Sequence, residues 1–234
     1  MSEQFSGVVT IVDGQGREVF RFDSRYALLD LGAEGNEGDL RIKNDAGVTV
    51  FRFDATHSVL DLGPSLGGSG AEADLRIYGA DGQAKIHLDG GTGDIRLIGA
   101  DCAEDFDLDT RHDAAPGTVL TIGDQGRLRP CTAPYDRRVA GVVSGAGGLH
   151  SGIILDSRQG SADRVSVALT GKAYCQVDAG SGPIAIGDLL TTSATVGHAM
   201  RADDPSRAFG AVLGKALRPL SAGTDLIPIL IALQ

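Results

Sequence analysis

Five carboxylates, Asp101, Glu104, Asp105, Asp107 and Asp109, fall within nine residues of the stretch "IRLIGADCAEDFDLD" (95–109). Such a cluster can do three things. Like charges this close repel one another and hold a solvated connector open. Carboxylate oxygens also suit a hard cation, which makes Asp105, Asp107 and Asp109 weak calcium candidates, although the glycine and distal glutamate of a D-x-D-x-D-G loop are absent. Finally, two carboxyl groups held in different protonation states can act as an acid and a base.

The remaining reactive residues are scattered. Ser144 stands in "GVVSGAG", where Val143 precedes it, so the Gly-x-Ser-x-Gly turn of a serine nucleophile is not formed. His57, His87, His112, His150 and His198 are far apart, with no pair at metal-ligand spacing, and nothing in the sequence joins His112, His150 or His198 to a serine. Cys102, Cys131 and Cys175 include no CxxC, which points to free thiols and against zinc. Carboxylates next to Cys102 disfavour a reactive thiolate there. "GAGG" and "GSG" lack the following Lys-Ser/Thr of a phosphate loop. No metal or cofactor is therefore expected.

Charge narrows the partners. Lys+Arg 21 against Asp+Glu 31 gives a formal net charge of -10, with no basic run, so nucleic acid and anionic membranes are not expected partners. The N-terminal "MSEQFSGVVT" has no basic region followed by an apolar core, which implies cytoplasmic synthesis without a signal peptide. The longest apolar run, "LIPILIAL" (226–233), is too short to span a bilayer.

The elements preceding the acidic cluster repeat. "VTIVDGQGREVFRFDSRYALLDLG", "LRIKNDAGVTVFRFDATHSVLDLG" and "LRIYGADGQAKIHLDGGTGDIRLIG" align Ile11, Ile42 and Ile77, then Gly16, Gly47 and Gly82, then Asp23, Asp54 and Asp89. The extra length before the third unit lies in 64–73. Each unit alternates apolar and polar residues between Asp/Asn/Gly turns, the pattern of short strands. The units run over about 8–38, 39–73 and 74–98, giving a β-repeat stem over 1–98.

Such thin units leave a lone chain short of core. Burial at about 25 cal/mol per Å² must offset about 1–2 kcal/mol of backbone entropy per residue. Either the units stack as a single-chain solenoid, or identical chains wrap one axis as a trimeric β-prism or β-helix and share an interior. The shared interior is the favoured expectation.

An acidic connector is expected over 99–115 and a β-rich domain over 116–234, so the fold class is all-β. One helical turn is expected in "DDPSRAF", where Pro205 follows an aspartate cap, and "GPIAI" reads as a strand entering a tight turn. In order, "GADCAEDFD", "PGTVLTIGDQGRLRPCTAPYDRRVAGVVSG", "ALTGKAYCQVD", "GPIAIGDLLTTSATVGHAM", "GAVLGKAL" and "IPILIAL" cover residues 99–234. This succession resembles the C-terminal intramolecular-chaperone autoprocessing domain of phage tailspikes and neck appendages, in its glutamic-peptidase variant. The repeats resemble those upstream of such domains in phage fibres.

The resemblance implies a homotrimeric fibre whose C-terminal domain sets chain register and, in some members, cuts itself away through an acidic pair. The matching candidates here are Asp101 and Glu104. Three-residue spacing in an extended segment puts them on opposite faces, so they converge only through a turn or across two chains. Here the domain is over half of the chain and only three units precede it. The expectation adopted is a non-enzymatic structural homotrimer with a retained assembly domain, made as part of a phage or phage-like particle. Self-cleavage and a receptor- or glycan-binding tip are the alternatives.

Overall fold

A computed structural model describes residues 7–25, 28–32, 38–44, 46–63, 73–109, 113–158 and 163–233. His112 and most of the 64–73 insertion lie outside them. The chain is almost entirely β and divides into two units, Met1–Leu97 and Ile98–Gln234.

The first unit holds three separate three-stranded antiparallel sheets, one from each repeated sequence segment: β1 (Val8–Val12), β2 (Glu18–Asp23) and β3 (Leu28–Leu31); β4 (Leu40–Lys43), β5 (Thr49–Asp54) and β6 (Val59–Leu62); β7 (Asp74–Tyr78), β8 (Ala84–Asp89) and β9 (Ile95–Leu97). The turn chemistry is the same in the first two. In the first, the Asp13 carboxylate accepts from the Gln15 and Arg17 amides; in the second, the Asn44 side-chain oxygen accepts from Val48. Gly16, Gly47 and Gly82 take the positive φ that closes each turn, at 79°, 78° and 72°. The register shifts at the same place each time, between Ile11/Val12, Ile42/Lys43 and Ile77/Tyr78.

The shared register sorts side chains onto two faces, because residues directly opposite in a sheet point the same way. One face of the first sheet carries the rows Ile11–Phe20–Leu31 and Val9–Phe22–Leu29. The second carries Ile42–Phe51–Leu62 and Leu40–Phe53–Leu60, and the third Ile77–Ile86–Leu97 and Leu75–Leu88–Ile95. The opposite face carries the polar rows Thr10–Arg21–Asp30, Arg41–Arg52–Asp61 and Arg76–His87–Arg96, with Val8 beside Asp23 and Val59 beside Asp54.

The second unit is one ten-stranded sheet with a closed portion. Its spine is β15 (Arg164–Asp178). The C-terminal half of β15 pairs with β19 (Thr224–Ala232) and touches β17 (Ala199–Arg201). β17 pairs with β16 (Leu189–Thr192), β16 with β18 (Val212–Ala216), and β18 with β19, closing a barrel. Cys175, Val177, Leu190, Leu213, Ile227 and Ile229 fill the core cluster there, all fully buried.

The N-terminal half of β15 lies between β13 (Val139–Val143) and β10 (Asp101–Asp107). β11 (Val119–Ile122) and β12 (Leu128–Pro130) extend one side, and β14 (Ser151–Leu155) the other. A second cluster of Leu108, Leu120, Leu128, Val143 and Val167 packs there.

Three expectations meet the structure differently. The helical turn is present as α1 (Pro205–Ala208), with the Asp204 side chain accepting from Ser206 N–H. "GPIAI" forms no strand, only a bridge from Ile184 to Leu220. The acidic connector over 99–115 is corrected: residues 101–107 are β10, a strand inside the sheet. Its backbone pairs on both sides, with β14 and β15, and Arg164 lies among its carboxylates, which removes the repulsion that would have kept it open.

Candidate functional site

Asp101 opens β10 with 6% of its surface exposed. The strand is seated there by backbone bonds, Ala100 N–H to His150 O at 2.8 Å and Lys172 N–H to Ala100 O at 2.9 Å. Ser144, just past β13, donates its hydroxyl to Asp101 Oδ2 at 2.8 Å. Ser151, at the start of β14, donates to Ser144 Oγ at 2.9 Å. Asp101 Oδ1 is buried and has no hydrogen-bond partner. The structure thus joins two residues that the sequence singled out for separate reasons, Asp101 and Ser144, and adds Ser151.

Glu104 is not part of this group. Burial alternates along β10, with Asp101 and Ala103 buried and Cys102 and Glu104 only partly so. Glu104 stands opposite Leu155 and Val167, and no hydrogen bond joins it to Asp101 among the described residues. Asp105 accepts from Ser166 Oγ at 2.5 Å. Arg164, whose side chain is only 8% exposed, bonds to Asp156 at 2.6 Å and to the Asp105 carbonyl, and lies 3.6 Å from Asp107. Neighbouring guanidinium groups hold Asp156 below the usual carboxylate range, that of Arg164 foremost.

Of the calcium candidates, Asp105 and Asp107 lie along a paired strand, one bonded to Ser166 and the other near Arg164, and Asp109 follows the strand's end. Among the described residues no group of three metal-ligating side chains gathers.

The chemistry available at Asp101 is limited by what surrounds it. A serine becomes a nucleophile when a base of suitable pKa takes its proton, usually an imidazole or amine. No histidine or lysine bonds to Ser144 or Ser151 among the described residues. His57 and His87 lie in the first unit, bonded to Asp54 at 3.2 Å and Asp74 at 3.0 Å, and His198 Nδ1 faces the Val196 carbonyl. Ser144 follows the end of β13 and precedes Gly145 in a left-handed turn, not an elbow leading into an α-helix. The hydroxyl chain ties β10, β13 and β14 together at one point. Cys131 and Cys175 are buried and burial pushes both thiols up, whereas Cys102 is partly exposed; all three are free.

The other candidate is a surface. The apolar faces of the three small sheets are open to solvent: Ile11 is 55% exposed, Phe53 44%, Leu60 52% and Ile95 71%. Every buried hydrophobic residue among those described lies at or beyond Ala103. Among the described residues of the first unit the buried side chains are instead two carboxylates. Asp23 is 0% exposed and is clamped by Arg21 at 2.8 Å and Arg25 at 2.7 Å, and the Arg25 bonds foremost hold its pKa at about 2. Asp54 holds the equivalent place with Arg52 at 2.5 Å and His57, whose backbone amide does most to lower it.

Among the described residues no helix is long and apolar enough to cross a membrane. No protein-family model matches the chain, and no curated protein matches it either.

Proposed function

We propose that this protein is a structural homotrimer in which each small sheet closes against its counterparts in two other copies. The N-terminal unit then acts as a short fibre or prism stem, and the C-terminal unit as a retained domain that brings three chains into register. One observation carries the reading: six apolar residues share one face in each of three sheets, and among the described residues none of them is buried. Soluble monomers rarely keep contiguous apolar patches of this kind open, and small sheets of three strands gain stability only when such a face is covered. A threefold arrangement covers all three faces with one closed symmetry, whereas a single-chain solenoid would already have sealed them. The resemblance of residues 99–234 to phage tailspike chaperone domains agrees with this and suggests a phage or phage-like particle as the setting.

Native mass measurement tests the reading. The expected species has three times the 24.1 kDa chain mass, and Phe53→Asp, which puts a charge at the centre of one face, should release single chains. A stable wild-type monomer would refute it.

A second reading is favoured by Asp101 alone, a buried carboxylate with one oxygen unpartnered. In a self-cleaving intramolecular chaperone that oxygen would face the acid of a second copy, with Glu104 as the donor. Prolonged incubation should then yield two fragments on a denaturing gel, and Glu104→Gln should abolish them. Persistence of the intact wild-type chain would dismiss this reading.

A further inference from the structure

The C-terminal unit carries an unpartnered apolar strip of its own, along an open sheet edge. Among the described residues β14 pairs only with β10. Ile153, Ile154 and Leu155 follow one another there, 45%, 46% and 50% exposed. A free edge with aliphatics on both faces invites association unless something covers it. Cys102 is the register partner of Ile153, so the partly exposed cysteine stands beside the strip while the other two are buried.

We propose that this strip is a seam between copies, with β14 of each chain packing on the C-terminal unit of another copy. The inference rests on the trimer reading above. Two arguments select a second copy as the occupant. The first is area: three half-exposed aliphatics fall well short of the roughly 1,000 Å² a stable interface needs, so a foreign protein would not stay on them. A copy already held through the apolar faces of three sheets is present at high effective concentration, and a small patch then suffices.

The second argument is charge. Each chain carries a formal -10, so copies repel except where carboxylates are absent or neutralised. Ser151–Leu155 contains none, and the next residue, Asp156, is paired with Arg158 at 3.1 Å and Arg164 at 2.6 Å. Glu104, opposite Leu155, marks the strip's charged rim.

The built-in thiol supplies the test. Iodoacetamide labelling of full-length protein is followed by mass spectrometry, after its native mass has been measured. Cys102 should react at least about tenfold more slowly in the wild-type trimer than in Phe53→Asp single chains, whose C-terminal unit is unaltered, the factor expected for about 1.4 kcal/mol of seam closure. Cys131 and Cys175 should stay unlabelled in both, showing that the unit remains folded. Should Phe53→Asp fail to separate the chains, the double variant Ile153→Ser, Leu155→Ser serves as the open-seam reference, with the same acceleration expected. A wild-type trimer whose Cys102 reacts as fast as the reference overturns the seam and leaves the trimer standing. A wild-type monomer overturns both.

Discussion

The two units of this chain bury opposite kinds of side chain. In the C-terminal unit the interior is aliphatic, and Leu190, Leu213, Ile227 and Ile229 are fully removed from water. Among the described residues of the N-terminal unit the phenylalanines and leucines are exposed or half-buried and the buried side chains are Asp23 and Asp54, each held by arginine. The first arrangement is self-sufficient, since apolar burial is the main favourable contribution to folding. The second is not, since a clamped carboxylate orders a strand end but supplies little net stability. The difference separates a unit with its own aliphatic core from a set of sheets whose apolar faces stay exposed or half-buried, the faces that the proposed trimer would cover.

The largest expected effect sharpens that contrast. Leu213→Ala should cost the C-terminal unit about 2–5 kcal/mol, the usual range for truncating a fully buried leucine. Denaturant unfolding followed by circular dichroism should show the loss at every protein concentration. Phe53→Ala should instead cost little to a single chain, so its effect should be largest at concentrations where the wild type is assembled and shrink as both proteins are diluted into single chains. Equal, concentration-independent losses for the two variants would erase the distinction between the units.

The next effect probes the strand mistaken for a connector. Gly171, in β15, has φ +105°, and a Cβ there would lie 2.5 Å from the Ala100 carbonyl oxygen and 2.8 Å from Asp101 Cα. Backbone cannot yield as a flexible side chain can, so Gly171→Ala should cost about 3 kcal/mol and push the start of β10 from the sheet. Hydrogen exchange in residues 101–107 should accelerate more than in β11. Unchanged exchange would mean that β10 is not seated there.

What was legible in the sequence follows the range of the interactions. The short strands of the three units could be read because their causes are local: an Asp or Asn turn, a positive-φ glycine and strict alternation lie within one unit. Pro205 after Asp204 marked α1 for the same reason. β10 was misread because its partners, Ser166 and Val167 in β15, stand about sixty residues away, and its charges dominate the segment until Arg164 is placed among them. "GPIAI" looked like a strand by composition, but Gly182 and Gly187 both take positive φ and cut it short. Neither Asp101 nor Ser144 hinted at the other, since their 43-residue separation carries no signal.

A smaller effect tests the point where these distant residues meet. Ser144→Ala removes the donor to Asp101 Oδ2 and leaves a buried carboxylate whose other oxygen already lacks a partner. The expected loss is about 1–2 kcal/mol in the C-terminal unit, with Ser144→Thr recovering part of it, measured by the same denaturant titration. No loss would show that solvent reaches Asp101 and that the hydroxyl chain does not pin the three strands.

The smallest effect belongs to the N-terminal clamps and is read by pH. Asp23 titrates at about 2, below its ordinary 3.8, chiefly because the Arg25 guanidinium bonds to its ionised form. A carboxyl group whose pKa is lower in the folded state binds its proton more readily when unfolded. The clamp therefore stabilises the fold above about pH 4, and that contribution fades as pH falls toward about 2. Carbon-13 NMR of the aspartate carboxyls should place the Asp23 midpoint near 2 and move it upward in Arg25→Ala. Because Arg25 is itself largely exposed, water screens the pair, and the stability change should be slight compared with Leu213→Ala. If Arg25→Ala instead unfolded the first sheet outright, the buried carboxylate would be holding that sheet together, and the N-terminal unit would not depend on other copies for its stability.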